Sequence, residues 1–192
     1  NPFNKVNVYG YYSHDRFEFN ENEKYAYSNM NASINWRTIF HEKLTANFTA
    51  GYDHYDYRND ETVDKVAAAR LKFAINQVYA KANFDHKFDN GHTLNYGFSS
   101  MLYHLQPGIY EPILDTSTIL RKELQKEKAL ESALYIGDQW EITPKLSVDA
   151  GIRWSIFNAM GSRTYYDYTD GELPSLSNIT DTTTVNNGKI FK

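Results

Sequence analysis

The sequence predicts an all-β fold: an antiparallel, up-and-down transmembrane β-barrel segment of about seven strands. Three observations predict it. Leu146, Val148, Ala150, Ile152, Trp154 and Ile156 alternate with Ser147, Asp149, Gly151, Arg153 and Ser155. Side chains of a strand point to opposite faces with period two, so this stretch has one apolar and one polar face. The alternation recurs along the chain in stretches of about 13–16 residues, where strands usually run roughly 3–10 and a tilted membrane strand needs roughly 9–11. Finally, tight turns alternate with long polar loops, short on one rim and long on the other, as in outer-membrane barrels.

The first strand is expected over Asn4–Glu18, with Val6, Val8, Gly10 and Tyr12 on one face and Tyr9, Tyr11 and Ser13 on the other. Asn20–Glu23 makes a polar turn. The second strand, Lys24–Thr38, sets Ala26, Met30, Ala32, Ile34 and Trp36 against Asn29, Asn31, Ser33, Asn35 and Arg37. A row of Asn suits a wet interior, since a dry one would have to satisfy every amide. Phe40–Lys43 closes a tight turn into the third strand, Leu44–Tyr57. Asn59–Arg70 reads as a charged connection with a helical turn at Val66–Leu71. The fourth strand is Lys72–Phe88. Asp89-Asn90-Gly91 follows as a hairpin turn, because Asn-Gly tolerates positive φ.

His92–Leu105 is the fifth strand, and Gln106–Lys128 a long connection that opens on Pro107-Gly108. Ala129–Phe157 supplies the sixth and seventh strands around Thr143-Pro144-Lys145, where Pro presets φ and ends a central strand. From Asn158 the alternation dissolves into polar, turn-rich sequence with no strand expected. Aromatic girdles mark the two interfaces of such barrels. Trp36, Phe40, Phe84, Phe88 and Trp140 lie near the tight turns. Tyr25, Tyr27, Tyr52, Tyr55, Tyr103, Trp154 and Phe157 lie toward the opposite ends. Asp138 breaks the pattern, sharing a face with Leu134, Ile136, Trp140 and Ile142. Either it sits near an interface, or the sixth strand faces the other way, or a bulge resets it.

Several function classes are excluded. The chain has 192 residues, a net charge of -4 and no cysteine. The charge gives no footprint for nucleic acid, and the missing cysteine removes disulfides and thiolate metal sites. His14, His41, His54, His86, His92 and His104 show no His-Glu-x-x-His spacing, and Asp53-His54-Tyr55-Asp56 reads as a strand end entering a loop. No nucleophile elbow or phosphate-binding glycine loop occurs, so neither catalysis nor a cofactor is expected. Glu127 and Glu131, beside Lys126 and Lys128, read as a solvated strand end. Candidate ligand contacts are the loop residues Tyr110, Tyr165, Tyr166, Asp167, Tyr168 and Asp170, able to stack on and hydrogen-bond a sugar or catechol.

Gln106–Phe157 carries a resemblance. LQPGIYEP, LQKEKALESALYIGDQ and KLSVDAGIRWSIF resemble the barrel of TonB-dependent outer-membrane receptors of the Bacteroidetes type, and the likeness extends back through AINQVYAKANFDHKF and HTLNYGF and forward to Gly188-Lys189. The resemblance implies a 22-stranded barrel closed by a plug, located in a Gram-negative outer membrane. It also implies uptake of a scarce nutrient (siderophore, cobalamin or glycan), driven through TonB, with a surface lipoprotein as a possible partner. No plug or TonB-box segment is visible, so an internal fragment is expected, with Lys189–Lys192 approaching a further strand. Two other readings stay open at this point: a small structural or adhesive barrel, and a soluble β-sandwich binding module.

Overall fold

The computed structural model describes residues 3–161 and 163–185; Gly188-Lys189 and the approach at Lys189–Lys192 lie outside them. Seven long strands form one sheet: β1 (Asn4–Asn20), β2 (Glu23–His41), β3 (Leu44–Glu61), β4 (Ala69–Lys87), β5 (His92–Pro112), β7 (Glu127–Thr143) and β8 (Leu146–Met160). β6 (Lys122–Glu123) is a two-residue strand beside the end of β5. Each long strand pairs antiparallel with its neighbours in chain order, which is the up-and-down arrangement. A second, two-stranded sheet joins β9 (Arg163–Tyr168) to β10 (Ile179–Val185).

The registers fuse the strand faces into two continuous surfaces. One row runs Val6–Trp36–Phe48–Ala82–Phe98–Leu134–Trp154 across the seven strands, and the next Val8–Ile34–Ala50–Ala80–Ser100–Ser132–Ile156. On the opposite face the corresponding rows are Lys5–Arg37–Asn47–Asn83–Gly97–Tyr135–Arg153 and Asn7–Asn35–Thr49–Lys81–Ser99–Ala133–Ser155. Directly opposed residues share a face, so no strand is out of phase. The apolar face has nothing packed on it among the described residues. Val8 is 76% exposed, Ile152 73% and Trp154 62%, and no large side chain among the described residues is fully buried. A β-sandwich would cover this face with a second sheet. Here it is a surface suited to lipid, while the polar face suits a wet lumen.

The short turns form as expected. Gly91 has φ +82°, and Phe88 donates to the His92 carbonyl at 2.9 Å. Three local expectations are corrected. Val66–Leu71 is not helical: Asp64–Ala67 is a single turn, in which Asp64 accepts from the Val66 amide at 2.9 Å, and β4 already begins at Ala69. An Asp two residues back offers the amide a side-chain partner in place of a helical one. The connection Gln106–Lys128 is shorter than expected, because β5 runs on to Pro112. Between Lys72/Ala74 on β4 and Gln106/Ile109 on β5 a bulge inserts one residue. Pro107 sits in it, where the missing N–H costs no ladder bond. Lastly, the tail after Asn158 contains β9 and β10; Tyr165, Tyr166 and Tyr168 pair with Thr183, Thr182 and Ile179 respectively, aromatic and β-branched residues that favour strands.

The girdles also need correcting. Trp36 and Trp154, assigned to opposite rims, occupy one row in the middle of the apolar face. Tyr25, Tyr27, Tyr55, Tyr103 and Phe157 lie on the polar face, because their parity along the strand matches Asn29, Asn31 and Glu131. The aromatic rim on the short-turn side holds: His92 stacks on Trp140 at 5.1 Å and His86 on Phe88 at 4.4 Å.

Candidate functional site

The polar face changes character along its height. Near the short turns it is a hydrogen-bonded lattice. Asn35 donates to Asn47 at 2.7 Å and to Thr49 at 2.9 Å, Asn31 donates to Asp53, and Tyr135 donates to Asn83. Two tyrosines reach across to the glycines directly opposite them on the neighbouring strand. A Cβ at Gly51 would fall 2.5 Å from the Tyr79 ring, and one at Gly97 2.5 Å from the Tyr135 hydroxyl. At Gly97 the Cβ would also meet the Ala82 carbonyl, so glycine is required there, whereas at Gly51 only the outer end of the Tyr79 side chain would have to move. Each tyrosine carries a cation: Lys81 sits 5.4 Å from the Tyr79 centroid and Arg153 5.4 Å from that of Tyr135. Arg153 also donates to Ser99 at 3.1 Å, the residue directly opposite Lys81.

Toward the long loops the same face turns aromatic. The successive rows are Asn29–Tyr55–Ile75–Leu105, then Tyr27–Tyr57–Phe73, then Tyr25–Asn59–Leu71–Tyr110. Phe73 stacks on Tyr57 at 4.8 Å and tilts against Tyr55 at 5.9 Å, and Phe17 lies 6.3 Å from Tyr25. The opposite face inverts in the other sense, from apolar to charged: Arg70 makes a two-pronged pair with Asp60 at 2.6 and 2.8 Å. At this height the wall is therefore aromatic inside and ionic outside. Aromatic rings and tyrosine hydroxyls at the lumen mouth provide stacking faces and hydrogen-bonding groups for a planar, polar ligand.

The loops above this wall are held together. Thr118 donates its amide to the Val66 carbonyl at 2.8 Å and its hydroxyl at 3.0 Å. Ile113 donates to Ala68 at 3.3 Å, and Ala68 and Ala69 are buried beneath. The β3–β4 and β5–β6 connections thus form one unit.

Of the residues expected to meet ligand, the structure brings Tyr110 into the aromatic mouth, in register with Leu71. Tyr165, Tyr166, Asp167 and Tyr168 lie on β9 of the separate hairpin, with Tyr166 and Tyr168 rings 6.5 Å apart, and Asp170 follows in its turn. The sequence reading missed Tyr57 and Phe73 and gave Tyr27 and Tyr55 to an interfacial girdle. The signal was present: these residues share the odd-numbered parity of the Asn row. No group of three or more metal-ligating side chains occurs among the described residues.

Asp138 is on the apolar face, with Leu94 and Ala150 opposite it. It pairs with His92, Nδ1 to Oδ2 2.5 Å, next to the Trp140 rim. The facing expected for this strand holds, and the nearest register shift, at Glu141/Thr143, lies beyond Asp138. The interfacial reading of this carboxylate is the one that fits.

Comparison with known proteins gives a consistent frame. Residues 1–189 match the family model described as TonB dependent receptor-like, beta-barrel. No curated protein matches by sequence. Among solved structures, the chain is similar to BauA, the ferric preacinetobactin receptor from Acinetobacter baumannii. The TM-score is 0.60 at 11% identity, covering 100% of this chain and 40% of that one. It is also similar to the open form of Fiu, the ferric-catecholate import receptor from E. coli K12, with TM-score 0.55 and 14% identity over 88% of this chain and 31% of that one. The chain thus spans well under half the length of either receptor, and at these identities the likeness concerns the fold. With the family model matched over residues 1–189 of the chain and the up-and-down sheet in place, this chain belongs to the TonB-dependent receptor β-barrel family.

Proposed function

We propose that the chain is an internal part of a receptor of the Bacteroidetes type, lying in a Gram-negative outer membrane and importing a scarce nutrient at the expense of TonB. Its own part is passive: β1–β5, β7 and β8 supply wall, the polar face lines the passage, and the clamped loops frame the entrance. Plug, remaining strands and TonB contact belong to regions outside this sequence, and a surface lipoprotein is a possible further partner. The role is transport rather than catalysis. The observation that carries this reading is the double inversion of polarity along the strands, apolar to charged outside and polar to aromatic inside. Membrane anchorage needs the first and ligand capture uses the second.

Among siderophore, cobalamin and glycan, the iron chelates are favoured, since the neighbouring structures are receptors for ferric catecholate and ferric preacinetobactin. The ligand is expected to contact Tyr27, Tyr55, Tyr57, Phe73 and Tyr110, with the β9 tyrosines and Asp167 and Asp170 above. The test is binding of a ferric tris-catecholate to the intact receptor, followed by quenching of its aromatic fluorescence. Replacing Tyr27 and Tyr57 together by Ala is expected to weaken binding by about tenfold, from the loss of stacking worth about 0.5–1.5 kcal/mol per ring pair. If the chelate does not bind while cobalamin or an oligosaccharide does, the substrate class moves accordingly.

A further inference from the structure

At the height of the aromatic mouth the two faces of the wall treat charge in opposite ways. Outside, one register row reads Glu18–Lys24–Asp60–Arg70–Glu111 and alternates in sign. The cations of the next row, Arg58 and Lys72, pair with Asp60 and Glu111. That face neutralises itself. Inside, the face of the Asn row carries Asp15, Glu23, Asp53, Glu61, Glu127 and Glu131. Above the Lys81–Ser99 row, the long strands place no lysine or arginine on this face among the described residues. Lys122 of the short β6, opposite Tyr110, is the cation that joins it.

Neutral groups meet these carboxylates. Asn31 donates to Asp53, Tyr103 donates to Glu131 at 3.2 Å, and Asn20 donates to Glu23 at 3.3 Å. The side chains of Asp15 and Glu61 have no hydrogen-bond or ion-pair partner among the described residues. Glu23 and Glu61 stand directly opposite each other, and like charges so placed repel.

The carboxylates surround the rings. Asp15 heads the row that continues Tyr27–Tyr57–Phe73, about 5 Å from Tyr27 across the ladder. Asp53 lies two residues below Tyr55 on the same strand, about 7 Å away. A ring face attracts a cation through its quadrupole. A cleft lined by one sign of charge on a low-dielectric wall concentrates ligands of the opposite sign. An anionic group would meet repulsion at these rings, and attraction only farther down, at Lys81 and Arg153.

We propose that the aromatic mouth takes the cationic end of its ligand, an ammonium or guanidinium group seated against Tyr27, Tyr55 and Tyr57 between Asp15 and Asp53. The inference rests on the uptake reading and deepens it: within the iron-chelate class it selects a chelate whose periphery carries such groups. The rings make the site, and the carboxylates set its sign.

The test offers the intact receptor in detergent two ferric tris-catecholates that differ only in their side arms, primary ammonium in one and N-acetylated in the other, and reads quenching of aromatic fluorescence. The ammonium chelate should bind at least about tenfold more tightly at low salt. The gap should close to about twofold near 1 M salt, where the screening length falls to about 3 Å. Asp15→Asn with Asp53→Asn should bring the two chelates within about twofold of each other at low salt. Asp56→Asn, on the outward face at the same height, should leave the gap as it was. Equal binding of the two chelates by wild type, tighter binding of the acetylated one, or a gap that survives the double variant overturns the inference and leaves iron-chelate uptake standing. If neither chelate binds, the iron-chelate reading fails, and a lone thiol decides the inference: Ser13→Cys, one row below Asp15 on the same face, in a receptor whose other cysteines are serine. Reaction about tenfold faster with a trimethylammonium methanethiosulfonate than with a sulfonate one, relative to a free thiol and lost in the double variant, sustains it. The absence of that preference overturns it.

Discussion

Single residues on the apolar face have to satisfy lipid, and Asp138 shows how. Its Oδ2 is bound to His92, while its Oδ1 is buried with no partner among the described residues. Removing one member of such a pair leaves the other unpaired, whereas replacing both by apolar residues removes the desolvation cost as well. Asp138→Ala in the intact receptor is therefore expected to lower stability by about 1–3 kcal/mol. His92→Leu with Asp138→Leu should recover most of it. Urea titration of the receptor refolded in detergent reads both, and a double variant weaker than the single one contradicts the assignment. On the other face, Gly97→Ala should cost more than Gly51→Ala. The Cβ at 97 meets both the Ala82 carbonyl and the Tyr135 ring, while that at 51 meets only the outer end of Tyr79. Overpacking costs about 1–3 kcal/mol, with 97 at the upper end because backbone cannot step aside. At this scale the sequence was informative about identity and less so about partners. Asp138 stood out from the alternation alone, but His92 lies 46 residues away and only the β5–β7 register joins them.

At the scale of elements, the legible parts are those where a local pattern and the final structure obey the same rule. Seven alternating stretches became seven strands, and Asp89-Asn90-Gly91 became a positive-φ turn. The misread parts are those where a distant strand decides. Pro107 looked like the end of a strand, yet a bulge opposite Phe73 lets β5 continue to Pro112. The helical turn expected at Val66–Leu71 does not form, and Ala68 and Ala69 are buried under the clamp from the next loop. The aromatic mouth was in the sequence as tyrosines and became a site only when parity placed them beside the Asn row. The clamp itself is testable: the amide of Thr118 should exchange slowly with solvent deuterium in the intact receptor, and Thr118→Val, which keeps the amide bond and loses only the hydroxyl bond, should leave that protection largely intact. Gly at Thr118, by loosening the backbone at a position that donates twice to Val66, should speed exchange at Ile113 as well. Unchanged exchange at Ile113 would show that the two loops are not coupled.

At the scale of the molecule, the sheet has no interior of its own. Its apolar face is open along β1 through β8, and β1 and β8 each present an edge without a strand partner among the described residues. Long exposed edges and large apolar faces drive association in water. Residues 1–192 expressed alone are expected to sediment as aggregate without detergent; a cooperative melt of a detergent-free monomer would contradict the membrane assignment. The central claim is that one face of the sheet meets lipid and the other water, and β8 tests it most directly. Residues 1–192 contain no cysteine, so single thiols can be introduced at Ile152, Arg153, Trp154 and Ser155 of the intact receptor, any cysteine elsewhere in it first replaced by serine, and reacted in outer membranes with a charged, membrane-impermeant maleimide after opening of the lumen by mild urea. Labelling at 153 and 155 with protection at 152 and 154 is the predicted result. Equal labelling at all four positions, or protection at the odd ones, would contradict it.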